Sequence, residues 1–213
     1  MTEAKPKKDR FSWLYAFLVL LAAFLFHTFL PVRYHHAERA KLDKPYIVIG
    51  NHLSMLDPVI VAYACRRVQV HFLGKAELTK SPILRFFFEH VHMISVSRFN
   101  TDMKALRACL KVLKDGNVLG IFPEGTRFKQ GIMEDMEGGI AMIALQSGVP
   151  ILPAYIRDRL RWFRRTDCYF GEVFSVSDLK AKGINKETAA EVMHRIHDVY
   201  QNLVRESAQT LNK

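Results

Sequence analysis

A histidine and an aspartate five positions apart, His52 and Asp57, stand in the segment Asn51-His52-Leu53-Ser54-Met55-Leu56-Asp57. An imidazole held by a carboxylate is a general base: the carboxylate fixes its tautomer and stabilises the cation formed when the ring takes a proton. On one ideal helix the two side chains would point about 140° apart. They meet only if the segment turns. The apolar run Tyr46-Ile47-Val48-Ile49-Gly50 predicts a buried strand before it, and Pro58 predicts the first turn of a helix after it, so a strand-to-helix connection supplies the turn. The same residues also fit a helix cap at Asp57 and an ordinary loop histidine. This segment alone does not choose between the two readings.

A second polar cluster follows Val118-Leu119-Gly120-Ile121-Phe122, another predicted buried strand. There Pro123 and Gly125 stop the strand, and Glu124, Thr126 and Arg127 gather polar groups at one point. Alone it fits a solvated turn with a salt bridge. Together, Asn51-His52-x-Ser54-x-x-Asp57 and Phe122-Pro123-Glu124-Gly125-Thr126-Arg127 resemble the glycerolipid acyltransferase family, of the 1-acyl-sn-glycerol-3-phosphate (lysophosphatidic acid) acyltransferase type. Two weaker blocks fall in the family's order, Met93-Ile94-Ser95-Val96-Ser97-Arg98 and Gly148-Val149-Pro150-Ile151-Leu152-Pro153. The resemblance runs from Tyr46 to Ile156.

The resemblance implies that His52 takes the proton of a lysophosphatidate hydroxyl as it attacks an acyl thioester, while Asp57 orients the ring. It implies that Arg98 and Arg127 hold the substrate phosphate, for which a guanidinium fork is suited. Glu124 would position Arg127 or a substrate hydroxyl, Thr126 would hydrogen-bond, and the backbone around Gly125 would face the oxyanion. Lys75, in Lys75-Ala76-Glu77-Leu78, either extends this basic site or is a solvated lysine. No metal and no resident cofactor are expected; acyl-CoA or acyl carrier protein brings the acyl group as co-substrate. Three positions depart from the family pattern: His92 where many relatives have glycine, Ser97 where an acidic residue is common, and Glu137 in place of a lysine. They leave the acceptor headgroup open. The alternatives are acylation of another lysophospholipid or glycerol phosphate, transacylation from phospholipid, and a non-catalytic membrane-binding protein of the same fold, against which the intact His52 and Asp57 argue.

Positioning these groups falls to alternating elements. Strands are predicted at 46–50, 68–73, 93–97, 117–122, 151–156 and 167–174, with helices at 58–66, 81–89, 101–115 and 139–146. Gly116 and Gly148 mark helix ends, and Asn185 opens a last helix with Ala189, Val192, Ile196, Val199 and Leu203 on one face. Strands separated by helices predict an α/β fold, a largely parallel sheet flanked by helices and resembling the glycerolipid acyltransferases, preceded by an N-terminal membrane helix. In such sheets the loops at strand ends gather the site. His52, Arg98 and Glu124 each follow a predicted strand.

The ends carry a different signal. Residues 1–10 form a basic segment and 33–213 the catalytic domain. Between them, residues 11–32 are almost wholly apolar and uncharged, long enough to cross a hydrocarbon core of roughly 30 Å or to lie obliquely in one leaflet. Basic residues flank this predicted anchor on both sides, so charge assigns no orientation. The resemblance places the catalytic domain on the cytoplasmic face, where thioester donors are found. Net charge is +10. With no nucleic-acid-binding module in view, anionic membrane lipids are the expected partner, and acyl carrier protein a further candidate. Cys65, Cys109 and Cys168 are widely spaced and suggest neither a disulfide framework nor a zinc site. Lys104, Arg107, Lys111 and Lys114 predict a basic stripe beside an apolar one of Met103, Leu106, Leu110 and Leu113. The segment Arg157–Arg165 sets five arginines around Leu160, Trp162 and Phe163: either a loop seated on a bilayer or a hairpin with its aromatics turned inward.

Overall fold

The computed structural model describes residues 13–66, 68–96, 103–122 and 133–209, and within 133–138 the backbone alone. Seven strands form one sheet: β1 (Val32–His35), β2 (Ile47–Gly50), β3 (Val70–Lys75), β4 (Ile94–Val96), β5 (Val118–Ile121), β6 (Ile151–Ile156) and β7 (Thr166–Phe170). Their order is β1-β7-β6-β2-β5-β3-β4. Only β6 and β7 pair antiparallel; β6, β2, β5, β3 and β4 run together, and β1 runs parallel to β7. The central strands β2 and β5 are buried along their whole length, which is why they read as unbroken apolar runs.

Alternation along β2 divides the core. Val48 joins the layer made by α1 (Trp13–Thr28) and α2 (Asp57–Ala64), with Ile60, Val61 and Phe26. Ile47 and Ile49 join the opposite layer, made by α4 (Met103–Lys114), α5 (Met133–Ser147), α6 (Ser177–Ala181) and α7 (Lys186–Gln209). The chain leaving β2 enters α2 on one face, and the chain leaving β5 enters α5 on the other. In open α/β sheets such divergence marks the carboxyl ends of the two adjacent strands as the place where ligands bind. α3 (Pro82–His90) buries none of its residues and exposes Ile83, Leu84 and Phe86.

The predicted helix ends hold. Gly116 (φ 86°) and Gly148 (φ 67°) take the left-handed conformation that ends α4 and α5. Asn185 caps α7, its Oδ1 accepting from the Thr188 N–H at 2.9 Å while the Thr188 hydroxyl accepts from the Asn185 N–H at 3.1 Å. Val192, Ile196 and Leu203 are buried beneath α7 as its spacing predicts. On α4 the face is rotated from the expected one: Ala105, Cys109 and Leu113 are buried and Met103 is exposed. All three cysteines are buried thiols, and burial pushes Cys65 up to about 12.

The N-terminal run departs most from expectation. From Trp13, the first described residue, its helix runs 16 residues to Thr28, about 24 Å at 1.5 Å per residue. Among the described residues no helix is long and apolar enough to cross a membrane. Pro31 cannot continue the helix, and the end of the predicted span, Val32, instead opens β1 and pairs with Thr166. One face of α1 is committed to the domain: Tyr15, Ala22 and Phe26 are buried, and the Tyr15 hydroxyl accepts the Val70 N–H at 3.1 Å.

Candidate active site

The Gly50–Asp57 segment turns as the chemistry requires. Beyond the last β2 residue, the Asn51 amide stands in for a strand: its Nδ2 donates to the Ile156 carbonyl and its Oδ1 accepts the Ile156 N–H, both at 2.7 Å. The Tyr200 hydroxyl on α7 points its one proton between two acceptors, the same Oδ1 at 3.1 Å and the Ala154 carbonyl at 2.8 Å. Burial raises the Tyr200 phenol well above its ordinary range, so it works there as a neutral donor. The turn therefore starts from a fixed point.

Asp57, the first residue of α2, is fully buried and reaches back into the turn it closes. Its Oδ2 accepts from His52 Nδ1 at 3.1 Å, from the Ser54 N–H at 2.6 Å and from the Leu53 N–H; its Oδ1 accepts the Ser54 hydroxyl at 2.7 Å. A carboxylate only accepts, so Nδ1 carries the proton and the lone pair lies on Nε2. Of the two readings open in the sequence, the structure selects the carboxylate-held imidazole. The cap residue of α2 is Leu56, and Asp57 spends its oxygens on the loop that carries His52. About a third of the His52 side chain is exposed (34%) while Asp57 is sealed (0%), so the pair is reached through the imidazole and not through the carboxylate.

Two phenylalanines hold the ring from the sheet side. Phe122 lies 5.3 Å from His52 between ring centroids, and Phe72 stacks on Phe122 at 5.6 Å. Both approaches need glycine. A Cβ on Gly50 would stand 2.9 Å from Phe122 Cε1, and one on Gly120 would stand 2.3 Å from the Phe72 ring. On the loop side, Arg159 Nε donates to the Leu53 carbonyl at 2.8 Å.

Lys75 is the last residue of β3, exposed at the same carboxyl edge of the sheet as His52. Arg98, Glu124, Gly125, Thr126 and Arg127 lie outside the described residues. The strands before them, β4 and β5, run parallel to β2 and end on that edge. His92 does not belong to it. Its ring lies 5.2 Å from His71 near the amino end of β4, and its φ of 57° explains why a glycine suits the position.

Four supporting residues escaped the sequence reading: Phe72, Phe122, Arg159 and Tyr200. Gly50 and Gly120 inside apolar strands were the available signal for the two rings, since a strand glycine marks a close approach. Arg159 and Tyr200 meet the site across 106 and 149 residues of chain, and no local pattern records such contacts.

A family model described as Acyltransferase matches residues 31–157. The 1-acyl-sn-glycerol-3-phosphate acyltransferase of Streptococcus pneumoniae is 29% identical over 186 residues, 84% of this chain and 68% of that protein. The protein of the same name from Bacillus subtilis is 26% identical over 123 residues, 58% of this chain and 61% of its own length. The crystal structure of the 1-acyl-sn-glycerophosphate acyltransferase PlsC from Thermotoga maritima superposes with a TM-score of 0.63. It covers 92% of this chain and 78% of that one at 22% identity, a likeness of fold.

Proposed function

The chain belongs to the acyltransferase family, and from that premise we propose that it acylates the sn-2 hydroxyl of 1-acyl-sn-glycerol-3-phosphate to give phosphatidate. The observation that carries this reading is the His52–Asp57 pair: Nδ1 is committed to a buried carboxylate, and the ring is partly exposed just beyond the carboxyl end of β2. The hydroxyl attacks the thioester carbonyl as His52 Nε2 takes its proton; the new C–O bond forms, the C–S bond breaks, and the proton passes to the departing thiolate. Asp57 stabilises the imidazolium between those two transfers. No nucleophilic side chain is required, because the acceptor supplies the attacking oxygen.

In this reading Arg98 and Arg127 bind the phosphate, Glu124 and Thr126 position Arg127 and the glycerol, and Lys75 adds positive charge at the edge. The backbone at Gly125 meets the oxyanion. The donor is acyl-CoA or acyl carrier protein, no metal or resident cofactor takes part, and the domain works on the cytoplasmic face of a membrane. The names of the relatives support the acceptor, and the order of the strand ends supports one shared edge. Thiol release from acyl-CoA or acyl carrier protein, measured with lysophosphatidate and with neutral monoacylglycerol, tests it. Turnover should need the phosphate, should fall about 10²–10⁴-fold in His52→Ala, and should lose phosphate discrimination in Arg127→Ala. Equal turnover of both acceptors by the wild-type protein would overturn the reading.

A further inference from the structure

The β6–β7 connection makes a tight turn, with Arg161 and Arg164 bridged across it. The alternative with inward aromatics is not the one adopted: Trp162 is 63% exposed and Phe163 73%. Phe163 holds them outward at a φ of 57°, a conformation that costs a non-glycine residue on the order of 1–2 kcal/mol. Its N–H donates to the Phe29 carbonyl at 2.7 Å, just past the end of α1. The Phe29 ring lies 5.9 Å from each of Trp162 and Phe163, and 6.0 Å from Phe24. One aromatic patch thus joins the turn to α1. It continues along the outer face of that helix, where Trp13, Phe17, Leu20 and Phe24 recur at helical spacing and are all exposed.

Charge names the occupant. Arg157 engages both carboxylates of the segment, Asp158 and Asp167. Arg161, Arg164 and Arg165 are exposed and make no ion pair among the described residues. An apolar patch rimmed by uncompensated arginines fits an anionic bilayer, in which rings sit at headgroup depth and guanidinium groups reach the phosphates. A second copy of the chain would bring the same positive charge to the contact.

We infer that the 161–164 turn is a membrane seat, inserted with the outer face of α1 into the interfacial layer of an anionic bilayer. The same segment bonds the catalytic loop through Arg159 and Leu53, so insertion fixes the height and tilt of His52 over the lipid surface. This goes beyond the proposed reaction and does not need it, because seating is read from binding alone.

The chain has two tryptophans, so the full-length Trp13→Phe variant makes Trp162 its single reporter. With phosphatidylglycerol vesicles we expect its emission to shift to the blue and to be quenched when the acyl chains carry bromine. Phosphatidylcholine vesicles should do neither. Replacing Arg161, Arg164 and Arg165 with glutamine should lower partitioning about a hundredfold, at about 1 kcal/mol per charge. Phe163→Gly, which removes the backbone strain, should keep turnover of a short-chain monomeric lysophosphatidate and lose it on a vesicle-embedded one. The inference fails if the protein sediments with vesicles while Trp162 keeps the emission of a water-exposed indole. It fails equally if Trp162 is already shielded in a lipid-free dimer, or if Phe163→Gly loses both activities alike. A chain that seats as described but transfers no acyl group would refute the reaction and leave the seat standing.

Discussion

Asp57→Asn separates the structural task of this carboxylate from the catalytic one proposed for it. It accepts four hydrogen bonds, three at Oδ2 and one at Oδ1. An asparagine keeps the network only with its oxygen at the Oδ2 position and its amide toward Ser54, whose hydroxyl must turn round to accept. The fold then survives, with each bond reduced from charge-assisted to neutral. At about 1 kcal/mol per bond over the three bonds to residues 53 and 54, we expect about 2–3 kcal/mol of lost stability. Catalysis should suffer more. The neutral amide no longer stabilises the imidazolium 3.1 Å away, and the reverse amide orientation would donate to Nδ1 and select the wrong tautomer. A loss of about 10²–10⁴ in kcat corresponds to roughly 3–5 kcal/mol at 1.36 kcal/mol per decade. The assay is kcat by thiol release, beside urea denaturation of the same preparations. Since the proposed mechanism has both residues act through one base, the His52→Ala, Asp57→Asn double variant should be no slower than His52→Ala alone. A folded Asp57→Asn protein turning over within threefold of wild type would refute the assigned division of labour.

Other perturbations test the supports. Asn51→Ala unpairs the N–H and the carbonyl of Ile156 and should cost about 2–4 kcal/mol in denaturant titrations, against about 1 for Tyr200→Phe; equal costs would mean that the amide clamp is not what fixes the turn. Gly50→Ala forces Phe122 away from His52 and should lower kcat with little change in KM, whereas an unchanged kcat would show that the ring contact is incidental. His92→Gly relieves a positive φ remote from the catalytic edge, so it should leave turnover unchanged and shift stability by no more than about 1 kcal/mol; a changed acceptor preference would put His92 back at the site.

Local chemistry was enough to write much of this molecule into its sequence. Strands buried on both faces must be apolar throughout, so Ile47–Gly50 and Val118–Ile121 announced themselves. Glycine alone enters the left-handed region without cost, so Gly116 and Gly148 marked helix ends. The five-residue spacing of His52 and Asp57 fits a turn that lets a carboxylate reach back to an imidazole, and that pairing is what formed. What tertiary structure decided is what depends on a distant partner. The apolar run near the amino terminus reads the same whether its neighbour is lipid or protein. Only the packing of Tyr15, Ala22 and Phe26, with Pro31 turning Val32 into the sheet, laid one face of its helix on the domain. Whether Trp162 and Phe163 turn in or out, and which residues brace His52, rests on contacts made across more than a hundred residues of chain. No periodicity within a segment encodes those contacts, because the groups that meet are brought together only when the sheet closes.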